Sequence, residues 1–417
     1  MTSAAPDAPG TIRDDGRIRS LDGVRGIAAL VVVVHHALHL FPAFARVQDA
    51  VSAAGESPAL WVLTHTPLHL VWAGEEAVLV FFVLSGYVLA LPATRGPVRW
   101  REYYPRRLVR LYLPVWAAVV LAVGLKAALG PVSAGAGGGW LHVRSSVPLG
   151  EAWHDAALVA GAGMLDSPLW SLQWEVLFSL ALPVYLLLRR REVRWTAVEA
   201  AALVALVGLG TSTGWMALRY LPMFGLGVLL AQHPRVLDDA AAWLDARARP
   251  RLAWAGVVGG TAVLLTARWL VRGLPEPSRA LEAAASAATI AGAVVVVLVA
   301  LRWGPGAHAL ERPAVQWLGT RSFSLYLVHE PVIVATELVL PRDWAPAALA
   351  VLGVAMAFAV TAAFHRLVER PSISVARRVG RLAHGHGEEA PRRPAEAVPA
   401  SVPAVPAPGP GPVGEQG

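Results

Sequence analysis

The chain reads as an all-α membrane protein, a polytopic bundle of about ten transmembrane helices. Three observations lead there. Of its 417 residues 55% are apolar and only 16% charged, a balance that does not suit a soluble domain. Apolar runs of 16 to 23 residues recur along most of the sequence, and about 20 residues cross the ~30 Å hydrocarbon core of a bilayer. Basic residues also alternate: 27 of the 36 Lys/Arg lie on the two termini and every second connection, against 5 on the other connections. That asymmetry predicts a multi-pass protein of the cell membrane with both termini cytoplasmic. It also accounts for the net charge of +7, so no nucleic-acid partner is implied.

The runs fall at 24–41, 69–91, 111–129, 170–188, 196–212, 216–231, 252–271, 280–301, 322–340 and 346–365. The fifth and sixth meet at "STGW" and have the weakest limits. Residues 1–18 form a polar N-terminal segment. An "AFA" at 43–45 resembles a cleavage site, but the 18-residue run before it exceeds a usual signal core, so the first span reads as an uncleaved anchor. Residues 19–375 form the membrane domain. The tail, 376–417, turns rich in Pro and Ala from about 384 and is expected to be cytoplasmic and disordered. The connection at 130–169 is the long exterior one, with a Gly/Ala-rich start and then Trp153, His154 and Asp155; it reads as a lid or as a tether. With no cysteine, the chain has no disulfide or thiolate nucleophile.

The first span is unusual. "RGIAALVVVVHHALH" runs from Arg25 to His39 and carries three histidines among apolar residues. Eleven steps separate Arg25 from His36; at 100° per residue the two share one helix face, roughly 16 Å apart along the axis. With Arg25 at the cytoplasmic interface, His36 is expected near the midplane. Ionisable groups at that depth are functional candidates. Other readings stand beside this one: Arg25 as a snorkelling anchor or as the partner of Asp22, His36 as a helix-to-helix hydrogen bonder, and His35 with His39 as an i,i+4 ligand pair lacking an acidic or thiolate partner nearby.

Longer phrases carry more. "RSLDGVRGIAALVVVVHHALHLFP", "AVLVFFVLSGYVLALP" (77–92), "YYPRRLVRLYLPVW" (103–116), "PLWSLQWEVLFSLALP" (168–183), "LPMFGLGVLLA" (221–231), "LGTRSFSLYLVHEPVI" (318–333) and "FHRLVERPSI" (364–373) follow one another in order. Together they resemble the acyltransferase 3 family, integral-membrane enzymes that O-acylate sugars, polysaccharides and lipid- or polyketide-linked acceptors. The resemblance places the family's arginine–ten residues–histidine motif on Arg25 and His36, its Arg-x-x-Arg motif on Arg107 and Arg110, and its Trp-Ser-Leu…Glu pattern on Trp170, Ser171, Leu172 and Glu175. It also implies an acyl-CoA donor rather than a permanently bound cofactor, no metal, and a hydroxyl-bearing small molecule or glycan as acceptor. Many relatives carry a further span and a hydrolase-like domain; this sequence reads as the stand-alone form.

Acyl transfer to an alcohol needs a base, an oxyanion stabiliser and exclusion of water. His36 is the expected base, with Arg25 and Glu175 as its catalytic company, although Glu175 reads equally well as the structural partner of an arginine. Arg107 and Arg110, within a cluster of six arginines at 95–110, are expected to hold the CoA phosphates; topology alone also accounts for several of the six. Tyr326 and His329 share a face of the ninth span and are expected either to line the acceptor route or to bond a neighbouring helix. Ser85 and Gly86 read as close packing, and Glu369-Arg370-Pro371 as the end of the tenth helix. The different-class alternative is a multi-span transporter of a small polar solute; it expects paired repeats, and none is seen.

Overall fold

A computed structural model describes residues 18–49, 55–130, 139–158, 161, 163–188, 193–340 and 344–384. Among them there are helices and connections and no strand. The long helices are α1 (Arg19–Leu38), α2 (Gly74–Arg95), α3 (Trp100–Leu129), α5 (Leu169–Leu188), α6 (Thr196–Thr213), α7 (Met216–Gln232), α8 (Pro250–Leu265), α9 (Arg279–Arg302), α10 (Pro313–Val339) and α11 (Pro346–Phe364). A short α4 (Gly139–Ser146) lies between α3 and α5, and α12 (Arg370–His384) follows α11. Eight helices are long and apolar enough to cross a membrane; α7 and α8 are apolar but shorter. The ten expected spans therefore all appear as helices, with shifted limits. The seventh is broken, because the chain turns at Thr266 before a short helix at Ala267–Arg272.

Two contacts fix the centre of the bundle. Gly86 of α2 lies against the backbone of Phe224 on α7, and Gly227 lies against Val83. The second joins α1 to α10: a Cβ on Gly26 would stand 2.5 Å from the amide nitrogen of Gly319. Lipid supplies no hydrophobic drive between helices, so backbone approach at small residues is how such helices gain packing. Around these contacts Phe82, Phe178 and Phe224 stack in the core, with centroids 4.7 Å and 4.5 Å apart.

The ends depart from expectation. The first helix spans Arg19–Leu38 instead of 24–41, so His36 sits in its last turn, while Arg25 lies well inside its first half. His36 is thus closer to one end of its span than the midplane placement assumed, because "RSLDG" is helical. The tenth helix does not stop at Glu369. It passes through a π turn, His365–Glu369, into α12, which packs along α3 and reaches His384, beyond the expected boundary at 375. Glu369 is buried there, accepting from Ser324 and bonded to His365 Nδ1 at 2.8 Å. Residues 1–17 and 385–417, with most of the expected N-terminal segment and tail, lie outside the described residues.

Candidate active site

The expected site residues separate into two tiers along α1. At its C-terminal end His36 Nδ1 is 2.8 Å from His329 Nε2 of α10. His329 is fully buried, and its Nδ1 lies 3.0 Å from Leu325 O and 2.9 Å from Tyr326 O. Carbonyl oxygens only accept, so His329 carries its proton on Nδ1. Neutral His329 then presents a lone pair at Nε2, and His36 donates to it from Nδ1. That leaves Nε2 of His36 without a proton, a base whose tautomer is set by its neighbour. An interhelical hydrogen bond in a membrane contributes on average about 0.6 kcal/mol, too little for the pair to be what holds α1 to α10.

Tyr326 is buried on the same helix; its hydroxyl donates to Pro168 O at 3.0 Å and lies 2.7 Å from Ser171 Oγ. It thereby ties α10 to the start of α5 and supports His329 from one turn below. His35 turns away, bonded through Nδ1 to Trp72 O at 2.9 Å. Trp72 belongs to a neighbouring polar cluster in which Glu76 accepts from Trp269 Nε1 at 3.0 Å and faces His69 at 3.7 Å. Of the three histidines in the opening stretch, His36 is the one bonded to another ionisable side chain.

The second tier lies toward the N-terminal end of α1. Arg107 donates to both Glu175 and Ser179, and Ser85 donates to Glu175 Oε1 at 3.4 Å. Arg25 acts electrostatically on Glu175 and on Arg110. Glu175 is therefore the partner of an arginine, the second of its two expected readings. Arg25 stands roughly 16 Å from His36 along the helix axis, so neither it nor Glu175 touches the histidine pair. Arg107 is committed to Glu175, whereas Arg110 keeps an exposed side chain among Arg107, Arg25 and Arg106. The two members of the Arg-x-x-Arg motif are not equivalent.

Further residues escaped the sequence reading. Glu330, next to His329 and 1% exposed, accepts from Ser167 N and Ser167 Oγ, each at 2.7 Å, and from Arg144 Nε at 2.7 Å. Breaking a buried pair of this kind costs about 3–5 kcal/mol, because the remaining charge is stranded. Trp140 of α4 lies nearly parallel to His36 at 6.0 Å between centroids. Asp166 is fully buried, beside Glu330 and Asp155, and burial pushes its carboxyl well above the usual range. Only Glu330 left a trace in the sequence, as a carboxylate inside an apolar run. Among the described residues no group of three His, Asp or Glu is arranged to hold a metal ion.

Comparison with known proteins identifies the family. The chain is 30% identical over 382 residues to the acyltransferase MdmB of Streptomyces mycarofaciens, covering 85% of this chain and 91% of that protein. It is 24% identical over 388 residues to the peptidoglycan O-acetyltransferase OatA of Listeria monocytogenes serovar 1/2a, covering 85% of this chain but 55% of that protein. No solved structure matches. The family described as an acyltransferase domain, Acyl_transf_3, matches residues 18–366, a stretch that contains both tiers of the site. The chain belongs to the acyltransferase 3 family and is a multi-pass membrane O-acyltransferase.

Proposed function

We propose that the protein moves an acyl group, acetyl being the simplest, from acyl-CoA to a hydroxyl of a sugar, polysaccharide or other metabolite, with His36 as general base. The observation that carries this reading is the bond from His36 Nδ1 to His329 Nε2, which leaves His36 Nε2 free to take a proton. The acceptor O–H loses its proton to that nitrogen as its oxygen attacks the thioester carbonyl. The C–S bond then breaks, and the imidazolium returns the proton to the departing thiolate. His329 steadies the imidazolium by accepting from Nδ1, the part an orienting carboxylate plays in a triad.

The arginine tier serves the donor in this proposal. Arg110 and its neighbours meet the CoA phosphates, and the long flexible arm of the cofactor brings the thioester along α1 to His36. Glu175 and Arg25 order Arg107 and the entry rather than the reacting atoms. Both termini are then cytoplasmic, on the side of the donor, in keeping with the bias of basic residues. The likeness to OatA, a peptidoglycan O-acetyltransferase, supports an alcohol acceptor.

The test is acyl transfer from labelled acetyl-CoA in membranes containing the wild-type chain or His36→Ala, scored as alkali-labile label on glycans and metabolites. The expected result is label in the first and none above empty membranes in the second. Equal labelling by the His36→Ala protein removes His36 as the base. A reporter active only outside the cytoplasm, fused after residue 384, should be silent.

A further inference from the structure

We infer that Trp140 decides which nucleophile reaches His36, holding water away so that the acceptor alcohol is the one acylated. The inference rests on the reading of His36 as the base. Trp140 lies near-parallel to two histidine rings of α1, His36 at 6.0 Å and 28° and His39 at 5.9 Å and 23°. The indole therefore roofs the end of α1 at which the base sits, opposite the arginine tier. An apolar ring in that place denies water an approach to Nε2.

The roof is fastened. One turn along α4, Arg144 lies over the indole at 5.3 Å and donates from Nε to Glu330 Oε1 at 2.7 Å. Glu330 is held in turn by Ser167 N and Ser167 Oγ. Since Glu330 adjoins His329, the contacts close a circuit: His36 to His329, Glu330 to Arg144, Trp140 back to His36. An exposed tether between α3 and α5 needs no such anchoring in a buried carboxylate. The circuit makes α4 part of the site.

Water competes with any alcohol for a thioester. If it reaches the base, its proton passes to His36, its oxygen bonds the acyl carbon, the C–S bond breaks, and the products are a carboxylic acid and the free thiol of CoA. Removing the roof should convert part of the transferase into a thioesterase, an activity that can be read without knowing the acceptor.

The experiment measures thiol release from acetyl-CoA in proteoliposomes without added acceptor. Trp140→Ala is expected to raise release about tenfold over wild type, Trp140→Phe to stay near wild type because it keeps a ring, and Arg144→Gln to fall between them. Adding His36→Ala to Trp140→Ala should return release to that of empty vesicles. Arg144→Gln keeps Trp140 itself, so it tests the roof independently should Trp140→Ala fail to fold. Release at the wild-type level in both Trp140→Ala and Arg144→Gln overturns the inference. Raised release that persists in the double variant instead overturns His36 as base, and the roof with it.

Discussion

His36 and His329 stand ten residues beyond Gly26 and Gly319, and each pair spans α1 and α10 at the same offset. The two helices therefore run parallel in a constant register, and the glycine contact near their beginnings delivers the imidazoles to each other at 2.8 Å. Gly26 has little room for a side chain: a Cβ would stand 2.5 Å from Gly319 N and 2.9 Å from Leu318 Cβ. Backbone atoms cannot swing aside.

The first prediction follows. Gly26→Ala should push α1 from α10 and separate the histidines while leaving the chain inserted. Acyl transfer should fall by about 10²-fold, the scale on which small misplacements act. Gly124→Ala, where no atom lies within 4 Å of the new Cβ, is the control and should retain activity. Transfer rates in quantified membranes decide it.

The second concerns the pair itself. His36→Ala should lower kcat by 10²–10⁴-fold, as loss of a general base does. His329→Ala should lower kcat with little change in donor KM, because it frees the tautomer of His36 without touching the acyl-CoA. His35→Ala should keep measurable activity, since His35 is engaged by Trp72 O. A His329→Ala protein as fast as wild type would show that the tautomer is set some other way.

Much of this was open to reading in the chain. Spans, helix faces and the positions of Arg25, His36, Glu175, Arg107, Arg110, Tyr326 and His329 follow from period and phrase. Their grouping does not. A helical wheel says that Arg25 and His36 share a face, but not that 16 Å of axis assigns them to separate tiers. Nor does it say that Glu175 faces Arg107 on a helix 68 positions away. Trp140 and Arg144 were invisible for another reason: the Gly/Ala-rich start of their connection has no periodicity, and their partners are Glu330 and His36, distant in sequence. The helix limits moved by a few residues because polar first turns such as "RSLDG" remain helical outside an apolar run.

The third prediction uses pH. Asp155, in the short helix Ala152–Ala157 outside the spans, is fully buried, and burial raises its carboxyl from the usual value to about 6. A raised folded-state pKa favours the protonated form, so its contribution to stability is full below the unfolded value of ~3.9 and is lost as pH rises through about 6. Above that, ionisation strains the connection. Asp155→Asn keeps an oxygen to accept from Asp166 N and removes the charge. It should raise the melting temperature in detergent at pH 7.5 and give no gain at pH 4; a gain that does not depend on pH would mean that Asp155 is not ionising in the folded protein.

The fourth separates the two motif arginines. Arg107 is held by Glu175 and Ser179, whereas Arg110 keeps an exposed side chain in the same cationic cluster. Lysine preserves charge in either place and loses the planar fork that pairs with a phosphate or carboxylate. Arg110→Lys should therefore raise the KM for acyl-CoA, on the order of tenfold, with a smaller effect on kcat. Arg107→Lys should act differently, because its fork serves Glu175: the expected loss is in kcat and in the amount of folded protein, and Glu175→Gln should reproduce it. Arg95→Lys, at the end of α2 and outside the motif, is the matched control for charge and topology. Steady-state kinetics in reconstituted membranes, with acyl-CoA varied at saturating acceptor, distinguish these outcomes. If Arg110→Lys behaves as Arg95→Lys does, the phosphates are held elsewhere and the cluster serves topology alone. If Arg107→Lys raises donor KM as strongly as Arg110→Lys, both guanidiniums meet the donor, and the bond between Arg107 and Glu175 must open when it binds.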